Sequence, residues 1–391
     1  MDRLMTTYNP IPVCLEKGLG VWVWDTSGKK YLDAATGIAV TAIGHYHPHF
    51  IAALEKAVHQ VIHTSNILTI EAQIQLAERL AEKAGMEQAF FCNSGAEANE
   101  CAIKLARLFG HKKEIAHPTI IVMENSFHGR TLATLSASGS RKVQAGFEPL
   151  VTGFVRAPYN DISALETIAK NHHDVVAILV EPVQGEGGIR VPDNDYLTKI
   201  RQLCDKHDWL MMLDEVQSGM GRTGKWFCYQ HQSIKPDVIT VAKALGNGIP
   251  IAACLARNKA LNLFHVGNHG STFGGNPFAC RAALAVIDVM EQEKLPENAA
   301  KIGHYLLGQL QATLQNVPGV IAIRGQGLLI GIELEKPCRP ILQIAADHGL
   351  LITITAEKII RLLPPLILQQ EEADEIVRLL AKIIPEFMSL S

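Results

Sequence analysis

Four short runs of consecutive apolar residues constrain the fold of this 391-residue chain more than any other feature. Each run is apolar throughout, without alternation between apolar and polar positions, which is typical of strands buried on both faces of a parallel sheet. The segments between the runs are long enough for helices that cross from one strand to the next. The sequence therefore predicts an α/β fold with a mostly parallel sheet flanked by helices. The runs cover residues 119–123, 175–180, 209–213 and 238–242.

The character of the chain changes at two places, which divide it into three parts. Residues 1–45 contain Gly, Pro and Trp residues and short strand-like segments at 20–24 and 30–33. Residues 46–275 carry the four apolar runs and form the expected large domain. Residues 276–391 predict a smaller α+β domain, against which we expect the N-terminal segment to pack. Its expected helices and strands lie at 276–292, 297–315 and 371–388, and near 319–334 and 350–363.

Composition excludes several classes of protein. With 48% apolar and 19% charged residues, the chain can bury a large core, which excludes general disorder. Lys and Arg number 36 against 39 Asp and Glu, and this balance provides no basic surface for nucleic acid or for a membrane. The apolar runs are far shorter than the roughly 18 residues of a membrane span. We therefore expect neither nucleic acid nor a membrane as a partner.

The expected compartment is the cytoplasm. The N-terminus lacks the apolar core and small-residue cleavage site of a secretory signal. Eight cysteines are scattered without a C-x-x-C pair, which indicates reduced thiols and argues against a disulfide framework or a zinc site. The histidines of residues 45–49 are more typical of a turn than of metal ligands, because no H-E-x-x-H or Cys/His spacing accompanies them. We therefore expect a cytoplasmic enzyme without a metal.

Polar residues follow each of the four apolar runs. A lone charged residue at a strand end usually marks only the point where the chain meets water, but four such ends together indicate a site. In open parallel sheets, ligands bind outside the carboxyl ends of the strands. The residues concerned are Phe127, His128 and Arg130 after the first run, Glu181 and Glu186 after the second, Asp214 and Gln217 after the third, and Lys243 after the fourth.

A predicted helix adds a candidate site for an anion. Apolar residues recur at helical spacing from Ala98 to Leu108, and Ser94 is placed to cap the start of the helix. Gly95 would let a ligand approach the first free N–H groups, where the helix dipole favours negative charge. An ordinary capped helix is the alternative, and for this segment taken alone it is the more frequent outcome.

Residues 219–224 match two nucleotide-binding motifs only in part. The segment reads G-x-G-x-x-G, but a dinucleotide fingerprint needs strand, tight turn and helix in immediate succession, and residues 214–218 intervene. Read as a P-loop, the same segment places Trp226 where a Ser or Thr must bind Mg²⁺. A nucleotide-dependent oxidoreductase or ATPase is therefore a weak alternative. A serine hydrolase is unsupported, because no G-x-S-x-G elbow is present.

Taken together, these segments resemble the class III aminotransferases, which use pyridoxal 5′-phosphate (PLP) on the fold type I scaffold. The most specific part of the resemblance is residues 213–224, followed by Lys243. Residues 91–99, 127–130 and 181–188 also fit closely, and the match runs along almost the whole chain. Within the family, the branch that acts on acetylornithine is the most similar, and the ornithine branch comes next.

The resemblance implies a role for each residue near the cofactor. Lys243 would bind PLP covalently and later move the proton of the substrate carbon. Asp214 would keep the ring nitrogen protonated, and Gln217 would bind the phenolic oxygen. The other implied contacts are Phe127 and Val216 on the two ring faces, Ser94, Gly95 and Ala96 at the phosphate, His128 among the cofactor contacts, and Thr272 of a neighbouring subunit at the phosphate. A shared site implies a homodimer.

The resemblance also implies which residues bind the substrates. Arg361 would bind the α-carboxylate of 2-oxoglutarate, and Glu186 would neutralise that cation while the amine donor is bound. Arg130 would hold the far carboxylate of either substrate. Tyr8 and Ser271 complete the implied substrate contacts. For Glu186, a solvated loop acid is the alternative.

The implied reaction is transfer of the δ-amino group of N2-acetylornithine to 2-oxoglutarate. It would give N-acetylglutamate 5-semialdehyde and glutamate, in a step of arginine biosynthesis. Tyr8 resembles the ornithine branch, whereas Ile38 resembles the acetylornithine branch, because an apolar Ile offers no hydrogen bond to a free α-amino group and tolerates an acylated one. Ornithine, succinylornithine and 4-aminobutyrate stay open as donors.

Overall fold

The computed structural model describes residues 3–390. Its strands, in chain order, are β1 Leu15–Leu19, β2 Trp22–Asp25, β3 Lys30–Asp33, β4 Gln88–Cys92, β5 Thr119–Met123, β6 Phe154–Ala157, β7 Val175–Val180, β8 Leu210–Asp214, β9 Val238–Val241, β10 Ala252–Ala256, β11 Val320–Gln326, β12 Leu329–Leu334, β13 Leu350–Leu351, β14 Thr353–Thr355 and β15 Ile359–Leu362. Its α-helices are α1 Thr36–Ala39, α2 Pro48–Val58, α3 Glu71–Ala84, α4 Gly95–Lys112, α5 Leu132–Ala137, α6 Arg141–Gln144, α7 Ile162–Asn171, α8 Tyr196–His207, α9 Pro277–Gln292, α10 Leu295–Leu314, α11 Ile341–Asp347 and α12 Gln370–Ser389. Over the described residues, none of the helices has both the length and the apolar character needed to cross a membrane.

A mixed sheet in the order β4-β10-β9-β8-β7-β5-β6 forms the centre of the molecule. The strands from β9 to β6 pair in parallel, whereas β10 runs antiparallel to both β9 and β4. The four strands that the apolar runs predict are confirmed as β5, β7, β8 and β9, each within one residue of its expected bounds. The expectation of a mostly parallel sheet is confirmed, and the antiparallel edge is an addition to it.

Burial on both faces explains why these strands are apolar throughout. Successive side chains of a strand point to opposite faces of the sheet. Ile120 and Val122 of β5 belong to the core that α4 covers, whereas Ile121 and Met123 belong to the core on the other face. Every residue of β5, β7, β8 and β9 is buried. A charged residue therefore appears only where such a strand ends, and the one hydroxyl inside β9, that of Thr240, is paired with Asn99.

Two smaller sheets bring the ends of the chain together. β1, β2 and β3 form an antiparallel ribbon, and β13 pairs with β3 in parallel. The C-terminal part contains an antiparallel sheet in the order β11-β12-β15-β14. The helices expected at 276–292, 297–315 and 371–388 are confirmed as α9, α10 and α12. Because α9 packs against α2 and α3, the domain boundaries at 45/46 and 275/276 stay predictions.

Candidate active site

A cavity of about 410 Å³ opens at the carboxyl ends of β5, β7, β8 and β9. Its lining comes mainly from the segments that follow these strands and from the start of α4. The predicted residues that line it are Ser94, Gly95, Ala96, Phe127, His128, Arg130, Glu181, Glu186, Asp214, Val216, Gln217 and Lys243. The folded chain thus brings together the polar residues of all four strand ends.

Asp214, the last residue of β8, is a buried carboxylate that three donors orient. Its Oδ2 accepts from Asn99 Nδ2 at 2.8 Å and lies 2.7 Å from His128 Nδ1, while its Oδ1 accepts from the Val216 N–H at 3.0 Å. Burial disfavours a charged His128, but the hydrogen bond to Asp214 and the charge of Asp214 outweigh burial and raise the His128 pKa. His128 therefore donates to Asp214 and fixes the position of the carboxylate.

Lys243 follows β9 and begins a single 3₁₀ turn. Its φ of +49° is uncommon for a residue other than glycine, and backbone strain of this kind clusters at functional positions. Burial lowers the pKa of Lys243 to about 8, the Arg361 guanidinium adds to this effect, and three carboxylates of the cavity oppose it. Within residues 3–390 the amine has no hydrogen bond or ion pair. An amine in this state is partly neutral near pH 7 and can act as a nucleophile.

The start of α4 forms one wall of the cavity. Ser94 caps the helix, because its hydroxyl accepts from the Glu97 N–H at 3.3 Å, and Glu97 in turn accepts from the Asn93 N–H at 2.8 Å. The N–H groups of Gly95 and Ala96 have no partner within the described chain. Unpaired amides at a helix N-terminus attract anions. The helix start therefore offers two free donors to an anion in the cavity.

The loop after β5 places an aromatic ring and a cation side by side. The Arg130 guanidinium lies 5.3 Å from the centre of the Phe127 ring. Over the part of the chain that the structure describes, Arg130 has no ion pair or hydrogen bond. Gly129 adopts a φ of +143°, and a Cβ atom there would lie 2.7 Å from the Ala96 Cβ. The loop can therefore approach the start of α4 this closely only with glycine at position 129.

A buried cation meets an acidic loop residue beside β15. Arg361 is 1% exposed, and its Nη1 lies 2.5 Å from Glu186 Oε1 and 3.4 Å from Gln217 Oε1. Because a buried cation without a counter-charge is costly, the Glu186 carboxylate stabilises Arg361 in this arrangement. Glu186 is thus an ion-pair partner here and not a fully solvated loop acid.

Four predicted residues do not line the cavity of their own chain: Arg361, whose side chain pairs with the lining residue Glu186, and three residues of exposed segments. Tyr8 is 87% exposed in the N-terminal segment. Thr272 is exposed in the loop that precedes α9. Its neighbour Ser271 accepts from Asn93 Nδ2 at 3.2 Å, so it lies directly behind a residue of the cavity lining. The roles of these three residues stay predictions.

Asn99 belongs to the site, although the sequence patterns predict no role for it. It is 1% exposed on the apolar face of α4, and it donates to Asp214. The Thr240 hydroxyl of β9 donates to Asn99 Oδ1 at 2.8 Å and fixes which way the amide points. The sequence does contain one indication of this role, because Asn99 is a polar residue at a position of the helix where apolar residues are expected.

Glu181 also has a role that its sequence position does not reveal. Its Oε1 accepts from the Phe127 N–H at 2.9 Å, and its Oε2 accepts from the Gly185 N–H at 3.1 Å. Burial raises the pKa of Glu181 to about 7, although the charge of His128 opposes the shift. Glu181 therefore connects the loop after β5 to the loop after β7 through these two hydrogen bonds.

The glycine-rich segment 219–224 joins two parts of the molecule by close packing. Arg222 is 1% exposed and donates to the carbonyl oxygens of Leu328 at 3.0 Å and Pro364 at 2.5 Å. A Cβ atom at Gly224 would lie 2.9 Å from the Ala300 Cβ. These contacts account for the glycines, and the nucleotide-binding alternative gains no support from them.

The histidines of residues 45–49 each pair with a different carboxylate. The pairs are His45–Asp33, His47–Glu293 and His49–Asp288, with N···O distances of 2.9, 2.8 and 3.5 Å. Across residues 3–390, no group of three or more His, Cys, Asp or Glu side chains is arranged to hold a metal ion. The histidines thus connect the N-terminal segment and α2 to their surroundings.

Comparison with known proteins gives one consistent result. Residues 4–384 match the family described as aminotransferase class-III. The acetylornithine aminotransferase of Nitrosomonas europaea is 54% identical over 388 residues, which cover 99% of each chain, and that of Methanothermobacter thermautotrophicus is 46% identical over 98% of this chain and 96% of the other. Among solved structures, the ornithine aminotransferase of Toxoplasma gondii superposes with a TM-score of 0.94 at 33% identity, covering 99% of this chain and 93% of the other. The acetylornithine aminotransferase of Elizabethkingia anophelis gives 0.89 at 36% identity, with 98% and 96% covered.

Proposed function

This chain belongs to the class III aminotransferases, and from this premise we propose that it transfers the δ-amino group of N2-acetylornithine to 2-oxoglutarate. The products are N-acetylglutamate 5-semialdehyde and glutamate, which places the reaction in arginine biosynthesis. The observation that carries the proposal is the full-length similarity to relatives named acetylornithine aminotransferase, one of which is 54% identical. The cavity supplies the chemistry that such a reaction needs.

Pyridoxal 5′-phosphate is the cofactor of this family, and the residues of the cavity fit it. The free N–H groups of Gly95 and Ala96 suit its phosphate, and the oriented carboxylate of Asp214 suits a protonated ring nitrogen. Phe127 and Val216 line the cavity and would enclose the ring, and Gln217 would bind its phenolic oxygen. Ser94 caps the helix that would hold the phosphate, and His128 orients Asp214. When bound, the cofactor supplies a sink for the electrons left on the substrate carbon.

Lys243 is proposed to hold the cofactor and to move the proton. Its amine has a pKa lowered to about 8, so a neutral fraction exists near the pH of the cytoplasm. A neutral amine at this position can take a proton from the substrate carbon and return one to the product. Lys243 would therefore act as both acid and base in the two halves of the reaction.

Two arginines are proposed to distinguish the two substrates by binding different carboxylates. Arg130 has no anionic partner of its own in the described chain, so it is free to bind the far carboxylate of either substrate. The reacting carbon of 2-oxoglutarate carries a carboxylate, whereas that of the donor does not. Arg361 would bind this carboxylate after Glu186 has moved aside, and Glu186 would neutralise Arg361 while the donor is bound.

We propose a homodimer with shared sites. Thr272 is exposed and outside the cavity of its own chain, which is consistent with a role in the phosphate site of a neighbouring subunit. Ile67, Val266 and Phe273 are apolar side chains that are 89%, 108% and 62% exposed, as expected of a surface that a second copy covers.

Ser271 and Tyr8 are proposed to contact substrate. The proposed compartment of the enzyme is the cytoplasm.

A visible absorption spectrum tests the donor. Purified enzyme loaded with PLP should show a cofactor band that collapses with N-acetylornithine and returns when 2-oxoglutarate is added. Ornithine is the second candidate, because Tyr8 resembles the ornithine branch. A band that persists with N-acetylornithine and collapses with ornithine, succinylornithine or 4-aminobutyrate would move the assignment to that donor. The absence of a band after loading would contradict the proposed cofactor site.

A further inference from the structure

Two threonines of β14 form hydrogen bonds to the Glu186–Arg361 ion pair, one to each residue. Thr353 Oγ1 accepts from Arg361 Nε at 3.1 Å. Thr355 Oγ1 donates to the backbone carbonyl of Glu186 at 2.5 Å. Residues two apart in a strand point to the same face, so both hydroxyls reach the pair from one side. Neither hydroxyl bonds to the Glu186 carboxylate, so both contacts can persist when the ion pair opens.

We propose that Thr353 and Thr355 are positioning residues that keep Arg361 and the backbone of Glu186 fixed while the Glu186 side chain rotates away. The acceptor carboxylate then takes the place of the Glu186 carboxylate on a guanidinium that has not moved. This inference rests on the proposed function, because only an acceptor with a carboxylate on its reacting carbon requires Glu186 to leave.

Arg361 needs one partner that is the same in both halves of the reaction. It is 1% exposed, so its donors cannot turn to bulk water when Glu186 leaves. The Thr353 hydroxyl is neutral, and it therefore does not compete with either carboxylate for the positive charge. Thr353 is itself anchored, because its hydroxyl also lies 3.3 Å from the Arg361 carbonyl oxygen. The guanidinium plane thus keeps its orientation through the exchange.

The loop that carries Glu186 is held at several further points. The Gly185 N–H donates to Glu181 at 3.1 Å. Arg324 donates to the two carbonyl oxygens of residues 188–189, at 2.6 and 2.8 Å. By contrast, the Glu186 side chain is 35% exposed and has room to turn. The exchange therefore requires rotation of one side chain on a fixed loop, and not opening of the loop.

The two threonines should affect the two substrates differently. Thr353→Val keeps the shape of the side chain but removes the acceptor of Arg361 Nε. The KM for 2-oxoglutarate should therefore rise about 3- to 10-fold, which is the loss in affinity expected from one hydrogen bond. The KM for the donor should stay unchanged. Thr355→Val removes the hydrogen bond made to the Glu186 carbonyl itself and weakens the position of the Glu186 side chain on Arg361, so 2-oxoglutarate should bind more readily before the donor has reacted. Inhibition by excess 2-oxoglutarate should then begin at a concentration about 3- to 10-fold lower.

Steady-state kinetics with both substrates varied test this, with the cofactor-loaded enzyme. Thr353→Ser and Thr355→Ser keep the hydroxyls and should restore wild-type constants. Thr167→Val is the matched control, because the exposed Thr167 hydroxyl also donates to a backbone carbonyl, that of Ser163 at 2.9 Å, and neither residue lines the cavity. Alanine at 353 or 355 provides the same comparison if valine prevents folding.

The outcomes separate the positioning role from the proposed function. Wild-type constants in both valine variants, or serine variants as impaired as the valine variants, would overturn the positioning role. An equal rise of both KM values would also overturn it, because it would indicate general damage to the site. If the wild-type enzyme transfers no amino group to 2-oxoglutarate, the proposed function fails, and this is visible before any variant is made.

Discussion

At Lys243, burial and charge act on an amine that the chain holds in a strained backbone conformation. Below its pKa of about 8 the amine is protonated and cannot attack the cofactor. The rate at which cofactor-free enzyme takes up PLP should therefore rise about tenfold per pH unit up to pH 8 and level off above it. Stopped-flow absorbance between pH 6 and 9.5 measures this. A rate that keeps rising towards pH 10 would show that the amine has the pKa of an ordinary lysine.

Asn99 gives a second prediction at this scale. Asn99→Ala removes a donor to the Asp214 carboxylate, and a hydrogen bond to a charged group contributes about 1.5–3 kcal/mol. The affinity for PLP should fall by about tenfold or more. Equilibrium titration of the cofactor-free variant measures the loss. Asn171→Ala is the control, because Asn171 donates to a backbone carbonyl at an exposed position of α7 and its variant should bind PLP normally.

Sequence patterns predict single residues of the site unevenly. Lys243 and Asp214 stand directly after apolar strands, where any polar residue is conspicuous. Asn99 makes an equally specific contact, but its partner Asp214 lies on another element, 115 positions away. No local pattern encodes such a pairing, because it exists only when the sheet and α4 have packed together.

At the scale of elements, the loop after β5 and the start of α4 depend on one small residue. Gly129→Ala would place a Cβ atom 2.5 Å from the Thr134 Oγ1 and 2.7 Å from the Ala96 Cβ, at a φ that alanine rarely adopts. We expect a loss of about 1–3 kcal/mol in the free energy of unfolding and weaker PLP binding.

Thermal unfolding of the cofactor-free protein, followed by circular dichroism, checks this. Gly308→Ala in α10 is the control, since an added Cβ there meets no atom within 4 Å. It should stabilise the protein by about 0.5–1 kcal/mol. Equal stability of the two variants would show that the close approach at Gly129 is not needed.

The central strands were predictable because burial on both faces leaves a continuous apolar run. β4 and β10 were not. β4 lies at the edge of the sheet, where its first three residues are partly or fully exposed, so its pattern is broken. β10 is Ala-Ala-Cys-Leu-Ala, and alanine has little preference for strands. Their antiparallel pairing is set by the packing of the whole sheet.

At the scale of the whole molecule, the proposed shared site makes a prediction about mixed dimers. Lys243→Ala chains should be inactive, and Thr272→Ala chains should bind PLP weakly. If each site takes Lys243 from one chain and Thr272 from the other, a dimer of one chain of each kind has one intact site. Refolding the two variants together should then recover about a quarter of wild-type activity. No recovery, with dimers confirmed by light scattering, would show that the site belongs to one chain.

The pairing of β13 with β3 joins the two ends of the chain, and no sequence pattern predicts it. β13 has two residues, too few for any periodicity to appear. Leu350 and Leu351 pair with Leu32 and Asp33, so the partner strand lies more than 300 residues away. Only the assembled C-terminal part brings the two strands together, which is why the sequence predicts that the N-terminal segment packs there but not through which strand.

This pairing sets an order of events during protein synthesis. β3 leaves the ribosome more than 300 residues before β13 does. At about 5–20 residues per second, the ribosome needs roughly 15 to 60 s to supply the missing strand. Throughout that time the ribbon of β1, β2 and β3 presents an unpaired strand edge, which is a template for aggregation. The strand edge of the ribbon is therefore open to incorrect pairing until β13 has been translated.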